Sequence, residues 1–324
     1  MLRLLVFCFF AFYGTMCQAA ADKIVPSGPA AQAILLAFAP EKVVALSNKL
    51  PADAAKFFPK RISDLPVVGQ FYGSADLNLE ELAKASPDMM VDLGESKESV
   101  FKDMERLSLK IGVPAVHIDA GLEQTPEMFR RLGKLLGKEE EGERFARQSA
   151  EIYARAKRIF AKAKAEKPKR LLYLLGQKGM NAAAKGSYHA QTIDMAGDNV
   201  AVMEDMSARG FGDPVDFERI LLWDPDVVLF APHSAYDEVK GSNVWAQLRA
   251  VQEGRYYEIP SSPYNWVSFP PSINRYLGLI WLPKLLYPNE ADYDLYEEIK
   301  AFYKTFYRYD LSPIEFNEMM KKAI

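Results

Sequence analysis

The sequence predicts an α/β protein with two lobes that are joined by one long helix. From Lys23 onward, short apolar runs alternate with amphipathic stretches, a pattern typical of sheets covered by helices. An unbroken helical pattern then occupies residues 139–167, and a related phrase occurs once on each side of it. A chain of 324 residues is also long enough to form two hydrophobic cores.

Residues 22–138 are predicted to form the N-terminal lobe. The apolar runs predict strands at 23–26, 42–46, 88–93 and 115–118, and helical spacing predicts helices at 77–85 and 99–111. Gly112 should end the second helix, because glycine readily adopts the left-handed conformation found at helix ends. This half therefore predicts a parallel sheet with helices between its strands.

Residues 139–167 predict a backbone helix. Phe145, Ile152 and Ile159 recur every seven residues, and Gly142 is the only turn signal in the stretch. At a rise of 1.5 Å per residue, about 28 helical residues extend roughly 40 Å, enough to connect two lobes. Pro168 should end the helix.

Residues 168–324 predict the C-terminal lobe and a group of closing helices. The predicted strands are 170–175, 200–202, 226–230 and 256–259. The predicted helices are 190–196, 216–222, 243–251, 271–286, 292–307 and 312–323.

The repeated phrase reads LEELAKASPD at 79–88 and FERILLWDPD at 217–226. In each copy, an amphipathic helix with an acidic second residue ends at Pro-Asp, and an apolar strand follows at once. A pseudo-repeat of two lobes is the simplest interpretation.

Residues 1–21 predict a secretory signal peptide. Arg3 supplies the positive charge, residues 4–16 form an apolar run, and three alanines at 19–21 predict cleavage after Ala19 or Ala21. The run of about 13 residues is shorter than the roughly 20 that span a bilayer. We therefore expect an exported, soluble, periplasmic protein.

Cysteine content and charge exclude several functions. Both cysteines, Cys8 and Cys17, lie in the predicted leader, so cleavage would leave no thiol, disulfide or cysteine-bound metal. A lipid anchor at Cys17 is the less favoured alternative, because Met16 precedes it where a small residue is expected. The formal net charge of −3 provides no basic surface for nucleic acid.

The sequence resembles the metal-chelate and cobalamin class of ABC-transporter substrate-binding proteins, which have a helical backbone. The resemblance rests on the repeated phrase, on AAAKGSYHAQTIDMAGDNV at 182–200, and on YNWVSFPPSINRYLGLIWLPKLLYP at 264–288. The last phrase is most similar to the branch for iron complexes, nickel chelates and molybdate. The resemblance implies two Rossmann-like lobes joined by one long backbone α-helix.

In this class, the protein binds a ligand between its lobes and delivers it to a permease dimer with its ATPase. The resemblance thus implies a monomer that is not an enzyme, has no built-in cofactor, and carries a metal chelate as ligand. It also implies that Glu80 and Glu218 dock the permease. The alternative for both residues is a favourable interaction with the helix dipole.

Candidate ligand contacts come from two arguments. Ligands of open α/β sheets bind beyond the carboxyl ends of strands, which nominates Asn48, Glu95 with Ser96, His233, and residues 264–268. The resemblance adds Tyr72 and the segment 185–189. Together with Arg209 in a glycine-flanked loop, the predicted contacts are Asn48, Tyr72, Glu95, Tyr188, His189, Arg209, His233, Tyr264, Asn265 and Trp266.

The resemblance pairs Tyr72 with an aromatic residue that stacks on ligand, and Asn265-Trp266 with an Asp-Trp pair. Asn265 replaces the acid, so a contact that needs a carboxylate is not expected there. For Tyr72, Tyr188, Tyr264 and Trp266, packing between the lobes is the alternative role.

The three histidines argue against a bare-ion site, which normally takes three or four converging ligands. His189 and His233 lie in predicted cleft loops and are the predicted metal ligands, whereas His117 lies within a strand. One histidine can complete the metal shell of a chelate, and Arg209 can bind the chelator's oxygens. An oxyanion would instead use backbone amides at 186–188. The order of expectation is iron or nickel chelate, then oxyanion, then cobalamin or haem.

Two alternatives of other classes remain. An α/β hydrolytic enzyme would be expected to show a nucleophile elbow or a phosphate-binding loop, and neither motif occurs. A surface adhesin on the same fold would be expected to carry the missing bare-ion ligands. We therefore expect no catalysis.

Overall fold

The computed structural model describes residues 20–71, 77–204 and 212–324. Residues 1–19 of the predicted leader, as well as Tyr72 and Arg209, lie outside the described residues.

The N-terminal lobe contains a parallel three-stranded sheet in the order β1-β2-β3. Its strands are β1 Ile24–Pro26, β2 Met89–Gly94 and β3 Ala115–Asp119. Its helices are α1 Pro29–Phe38, α2 Leu79–Ala85, α3 Glu98–Ile111 and α4 Thr125–Leu136. Gly112 ends α3 in the left-handed conformation, as predicted.

One strand and two helices of this lobe differ from the prediction. The predicted strand 42–46 is reduced to single bridges, in which Val43 pairs with Ile24 and Leu46 pairs with Val67. This segment pairs with β1 at one end and with Val67 at the other, so no regular ladder forms. Helices α1 and α4 were not predicted. Eight of the ten residues of α1 are buried, so this helix shows no polar stripe.

The backbone helix α5 extends over Glu139–Glu166, close to the predicted 139–167. It packs against α4, which precedes it in the chain. A Cβ atom on Gly142 would lie 2.6 Å from the Phe129 carbonyl oxygen, so this glycine permits the close helix crossing. The only turn signal in the predicted helix is therefore a packing position.

The C-terminal lobe has a sheet in the order β7-β5-β4-β8-β9, with β6 also paired to β4. Its strands are β4 Arg170–Leu175, β5 Asn181–Ala182, β6 Asp198–Asn199, β7 Asp213–Pro214, β8 Val227–Phe230 and β9 Tyr256–Glu258. Its helices are α6 Gln191–Ala196, α7 Phe217–Trp223, α8 Tyr236–Val239 and α9 Arg249–Gln252. The closing helices are α10 Arg275–Leu286, α11 Leu295–Phe302, which continues as a π-helical turn over Tyr303–Tyr307, and α12 Pro313–Met320.

This sheet is mixed rather than parallel, because β5 and β7 are antiparallel to their neighbours. Gly176 and Gly179 both adopt positive φ between β4 and β5, so the chain reverses tightly without a crossover helix. The predicted strand 200–202 is replaced by β6, which ends at Asn199. The predicted helix 243–251 is interrupted at Leu248, which has an extended backbone.

The repeated phrase forms the same structure in both lobes. The side chains of Asn78 and Asp216 accept hydrogen bonds from the amides at the starts of α2 and α7. Both helices end in a left-handed residue before Pro-Asp. The carboxylates of Asp88 and Asp226 then accept the amides of Lys23 and Arg170, where the neighbouring strand begins. Each Pro-Asp therefore fixes the start of two strands.

The largest hydrophobic core includes residues of both lobes. Phe306, which follows α11, contacts Phe145 of α5 at a ring-centroid distance of 4.7 Å and Phe129 of α4 at 6.2 Å. Two smaller cores lie within the separate lobes. The lobes are thus joined by aromatic packing as well as by α5.

We expect Phe306→Ala to lower the free energy of unfolding by about 3 to 5 kcal/mol, because it leaves a cavity in the shared core. Urea unfolding monitored by tryptophan fluorescence and circular dichroism would measure the change. Ile314→Ala is the control, because Ile314 is 76% exposed and its loss should matter little. An unchanged midpoint for Phe306→Ala, or separate transitions for the two lobes, would contradict the shared core.

Candidate ligand-binding cleft

The loops at the carboxyl ends of the two sheets meet between the lobes. The Tyr188 hydroxyl donates to the Ala120 carbonyl oxygen at 2.9 Å, and the Tyr276 hydroxyl donates to that of Leu122 at 2.7 Å. Ala120 and Leu122 follow β3, whereas Tyr188 lies between β5 and α6. Tyr188 therefore connects the lobes, which matches the packing alternative for this residue.

Arg275 lies at the same junction, and its residue is only 2% exposed. Its guanidinium donates to Gln191 Oε1 at 2.9 Å and to the carbonyl oxygens of Ala120 and Ser272. It also lies 5.2 Å from the ring centre of Tyr188. These three acceptors are uncharged, so the arginine contributes positive potential to the junction. Its signal in the sequence is a charged residue at the start of an apolar helix.

His189 is held firmly beside this arginine. Its ring stacks on Phe269 with a centroid distance of 4.4 Å and an interplanar angle of 4°. Its Nδ1 lies 3.0 Å from Ser268 Oγ, while no partner for Nε2 occurs among the described residues. An imidazole oriented through one nitrogen keeps the other available as a ligand.

Burial lowers the pKa of His189 from the ordinary 6.5 to about 4, and the charge of Arg275 acts in the same direction. Glu95 raises this pKa and Lys97 lowers it. The end of β2 adjoins this site, because the Ala120 amide donates to the Gly94 carbonyl oxygen at 2.8 Å and the Ala120 carbonyl oxygen accepts from Tyr188, the neighbour of His189. The imidazole is neutral at pH 7, which is the form that binds metals.

The loop after β9 contains Tyr264, Asn265 and Trp266, and all three are buried. Asn265 Oδ1 accepts the amides of Val267 and Ser268, and its Nδ2 donates to the Tyr173 hydroxyl at 3.1 Å. Trp266 is fully buried, and its indole donates to the Ser262 carbonyl oxygen at 3.4 Å. Both side chains thus have structural roles, and their contact with a ligand stays a prediction.

Tyr264 packs against Phe58 of the N-terminal lobe with ring centres 6.5 Å apart. Its hydroxyl is buried and has no hydrogen-bond partner among the described residues. Burial raises its pKa well above the ordinary value. Tyr264 therefore contributes to lobe packing.

Asn48 and Glu95 are exposed at the carboxyl end of the N-terminal sheet. The buried Gln32 holds the first loop, since its Oε1 accepts the amides of Ser47 and Asn48 and its Nε2 donates to the Asn48 carbonyl oxygen. Glu95 forms an exposed ion pair with Lys97 at 2.7 Å. Asn48 and Glu95 therefore remain accessible to a ligand. The supporting role of Gln32 for the Asn48 loop was not predicted from the sequence.

His233 lies apart from the surroundings of His189. It is exposed, has a φ of 60°, and lines a cavity of about 470 Å³ with Asp53, Lys56 and Glu315. Within residues 20–71, 77–204 and 212–324, no group of three or more His, Cys, Asp or Glu residues could hold a metal ion. The structure therefore gives His189 and His233 different neighbours rather than one shared site.

Two of the three amides proposed for an oxyanion at 186–188 are already used. The Gly186 amide donates to Asp194 Oδ2 at 2.8 Å, and the Ser187 amide donates to the Ala184 carbonyl oxygen. An oxyanion at 186–188 would therefore have to displace these two hydrogen bonds.

Glu80 and Glu218 occupy equivalent positions in the first turns of α2 and α7. The Glu80 side chain is 79% exposed and pairs with Lys84 at 2.9 Å. Glu218 is also exposed. Both helices precede a parallel strand and run back along the sheet, so their first turns lie on the cleft side.

We expect the stability of the protein to fall as the pH drops from 6.5 towards 4, because His189 is protonated in the unfolded chain first. Between pH 7 and pH 5, the free energy of unfolding should fall by about 1 to 2 kcal/mol less in His189→Gln than in the unmodified protein. Urea unfolding of both proteins at the two pH values measures this difference. Equal pH dependence in both proteins would contradict a buried, neutral His189.

Known proteins share this two-lobed architecture. The structure is similar to an ABC transporter solute-binding protein from Sulfurospirillum deleyianum, with a TM-score of 0.84, 28% identity, and coverage of 94% of this chain and 95% of the other. Helicobacter pylori CeuE with bound Ni(II) has a TM-score of 0.69 at 18% identity, covering 93% of this chain and 95% of the other. The two-lobed α/β fold class is confirmed.

Among relatives compared by sequence, the Fe(3+)-citrate-binding protein YfmC of Bacillus subtilis is 25% identical over 200 residues. The match covers 59% of this chain and 59% of YfmC, less than two thirds of that protein's length.

The described part of the chain contains no helix with both the length and the apolar character needed to cross a bilayer. The matched proteins are binding proteins for transport rather than enzymes, as the sequence predicts. A sequence model of the periplasmic binding protein family matches residues 66–263, more than half of the chain, and the chain therefore belongs to this family.

Proposed function

We propose that the protein is the periplasmic solute-binding component of an ABC importer. It binds a metal complex, a ferric siderophore or a nickel chelate, between its lobes and delivers it to the permease. The observation that carries the ligand class is His189, whose neutral imidazole is fixed at the junction of the lobes with one nitrogen unpartnered among the described residues.

A single fixed imidazole suits a chelate better than a bare ion. A bare transition-metal ion needs three or four protein ligands, whereas a chelator already supplies most of the metal shell. His189 would then complete the coordination, and the exposed Asn48 and Glu95 would contact the chelator. The names of two similar proteins, which mention ferric citrate and Ni(II), support the same class.

An oxyanion is the second candidate, and the buried charge of Arg275 favours it. However, the guanidinium already donates to Ala120, Gln191 and Ser272, and the nearby amides of Gly186 and Ser187 are also used. Reorganising these bonds would cost free energy before an anion could bind. We therefore place the oxyanion after the metal chelate, followed by cobalamin or haem.

Delivery would use Glu80 and Glu218. The two carboxylates lie on equivalent helices of the two lobes, on the cleft side of the molecule, and both are exposed. This arrangement would present one acidic contact to each subunit of a permease dimer. The cleft would lie between the two contacts, so ligand release would be directed towards the membrane.

Export would require removal of the leader, and the structure favours one of the two predicted cleavage positions. Ala21 is buried, its amide donates to the Leu135 carbonyl oxygen at 3.2 Å, and its own carbonyl oxygen accepts from Lys42 Nζ at 2.9 Å. Cleavage after Ala21 would remove these contacts.

We expect the mature protein to begin at Ala20, because this start retains the packing of Ala21. Intact-mass spectrometry of protein purified from the periplasm would identify the first residue. A mature chain that begins at Asp22, with unchanged thermal stability, would contradict the proposed role of Ala21.

We expect a thermal-shift screen of the mature protein to show a raised midpoint with a ferric siderophore or with nickel and free histidine, because ligands stabilise the native state. The remaining ligands of the screen are ferric citrate, molybdate, cobalamin, haemin and bare divalent ions. For the chelate that binds, His189→Gln should lower the affinity about tenfold or more in calorimetry, since a metal ligand is lost.

His233→Gln is the matched control, because it removes an exposed histidine that lines a different cavity. It should bind as the unmodified protein does. A loss with His233→Gln alone would assign the metal contact to His233 instead. No shift with any metal complex would contradict the proposed ligand class.

A further inference from the structure

Four polar side chains form a continuous hydrogen-bonded chain at the carboxyl end of the N-terminal sheet. Asp92 of β2 and His117 of β3 are partners in the parallel register. His117 Nδ1 lies 2.6 Å from Asp92 Oδ2, and His117 Nε2 lies 2.9 Å from Ser96 Oγ. Ser27 donates to the other oxygen of Asp92. The chain is thus Ser27, Asp92, His117 and Ser96 in that order.

The chain begins in the core and ends at the surface. The side chains of His117 and Asp92 are 2% and 11% exposed, and Ser27 is buried. Phe101 packs its ring edge-to-face on His117 at 5.5 Å. Ser96, in contrast, is exposed in the loop that follows β2. The buried members therefore fix the hydroxyl of an exposed serine.

The donor and acceptor roles follow from the chemistry of the groups. An ionised carboxylate only accepts hydrogen bonds, so Nδ1 of His117 carries the proton that faces Asp92. In the neutral ring, Nε2 is then an acceptor, and the Ser96 hydroxyl must donate to it. The Ser96 hydroxyl proton is used in this hydrogen bond, so Oγ can only accept a hydrogen bond from a ligand.

Ser96 lies in the loop that follows β2, next to the junction that holds His189. Gly94, at the end of β2, accepts the Ala120 amide at 2.8 Å, and the Ala120 carbonyl oxygen accepts from the hydroxyl of Tyr188, the neighbour of His189, at 2.9 Å. The effects of Glu95 and Lys97 on the pKa of His189 agree with this placement. A ligand that contacts His189 would therefore lie close to Ser96.

We propose that Ser96 Oγ is a hydrogen-bond acceptor subsite that favours ligands with an N–H or O–H group, such as amine-bearing metal chelates, over oxyanions that can only accept. The proposal rests on the proposed binding function and narrows its ligand class. Ser-His-Asp in this order also occurs in hydrolases. The matched family consists of transport binding proteins, so we assign the hydrogen-bonded chain to ligand selection rather than to hydrolysis.

The test is isothermal titration calorimetry of the mature protein with two probes, nickel with free L-histidine as the donor-bearing ligand and molybdate as the acceptor-only ligand. Ser96→Ala should weaken nickel–histidine binding about five- to tenfold, the usual effect of one lost hydrogen bond. Ser96→Thr keeps the hydroxyl and should restore most of the affinity. Ser99→Ala, an exposed serine in the first turn of α3, is the matched control and should bind as the unmodified protein does.

Unchanged nickel–histidine affinity in Ser96→Ala would overturn the proposal. A loss confined to molybdate, or tighter binding of molybdate than of nickel–histidine by the unmodified protein, would also overturn it, because Ser96 would then act as a donor.

A ligand-independent measurement keeps the inference testable if neither probe binds, an outcome that would leave the ferric siderophore as the proposed ligand. Nitrogen-15 NMR of the three imidazoles reports which ring nitrogen of His117 carries the proton. The proposal requires the Nδ1–H form at pH 7 in the free protein. An Nε2–H form or an imidazolium at pH 7 would overturn it, because Ser96 would no longer donate to the ring.

Discussion

The aromatic packing that joins the two lobes is the constraint on which the rest of the structure depends. Phe306 contacts α4 and α5, while Phe57 contacts Tyr303 at 5.3 Å, so the C-terminal segment packs directly on the N-terminal lobe. A core shared in this way resists a wide hinge motion, because opening would expose apolar surface of both lobes. The cleft is therefore held close to one geometry, and ligand capture would rely on loop adjustments and slight rocking.

This rigid junction explains the chemistry of the cleft. Arg275 can remain buried with uncharged acceptors only because Ala120, Gln191 and Ser272 are held in place around it. The same enclosure keeps His189 neutral, since burial and the arginine charge both disfavour its proton. One packing arrangement thus positions a buried cation and a neutral imidazole next to the loop 95–97 that carries Ser96.

The elements that could be predicted from sequence are those that local patterns specify. The backbone helix shows a repeating apolar stripe, and each of the two Pro-Asp phrases places an amphipathic helix directly before an apolar strand. Helix α1 was not predicted because it is covered on nearly all sides and lacks a polar face. The mixed sheet was also missed, since its antiparallel strands β5 and β7 are two residues long.

The sequence by itself determined the two-lobed fold class, the family resemblance, and the loops in which ligand contacts should lie, because apolar runs and helical periodicity are local properties of the chain. Only the tertiary structure decided what each side chain does. Trp266 and Asn265 look like ligand contacts in the sequence but are enclosed by distant residues, and His233 is separated from the surroundings of His189. Asp92 and His117 are 25 positions apart and meet only through strand register. Burial and hydrogen bonding depend on residues far along the chain, which no local pattern reports.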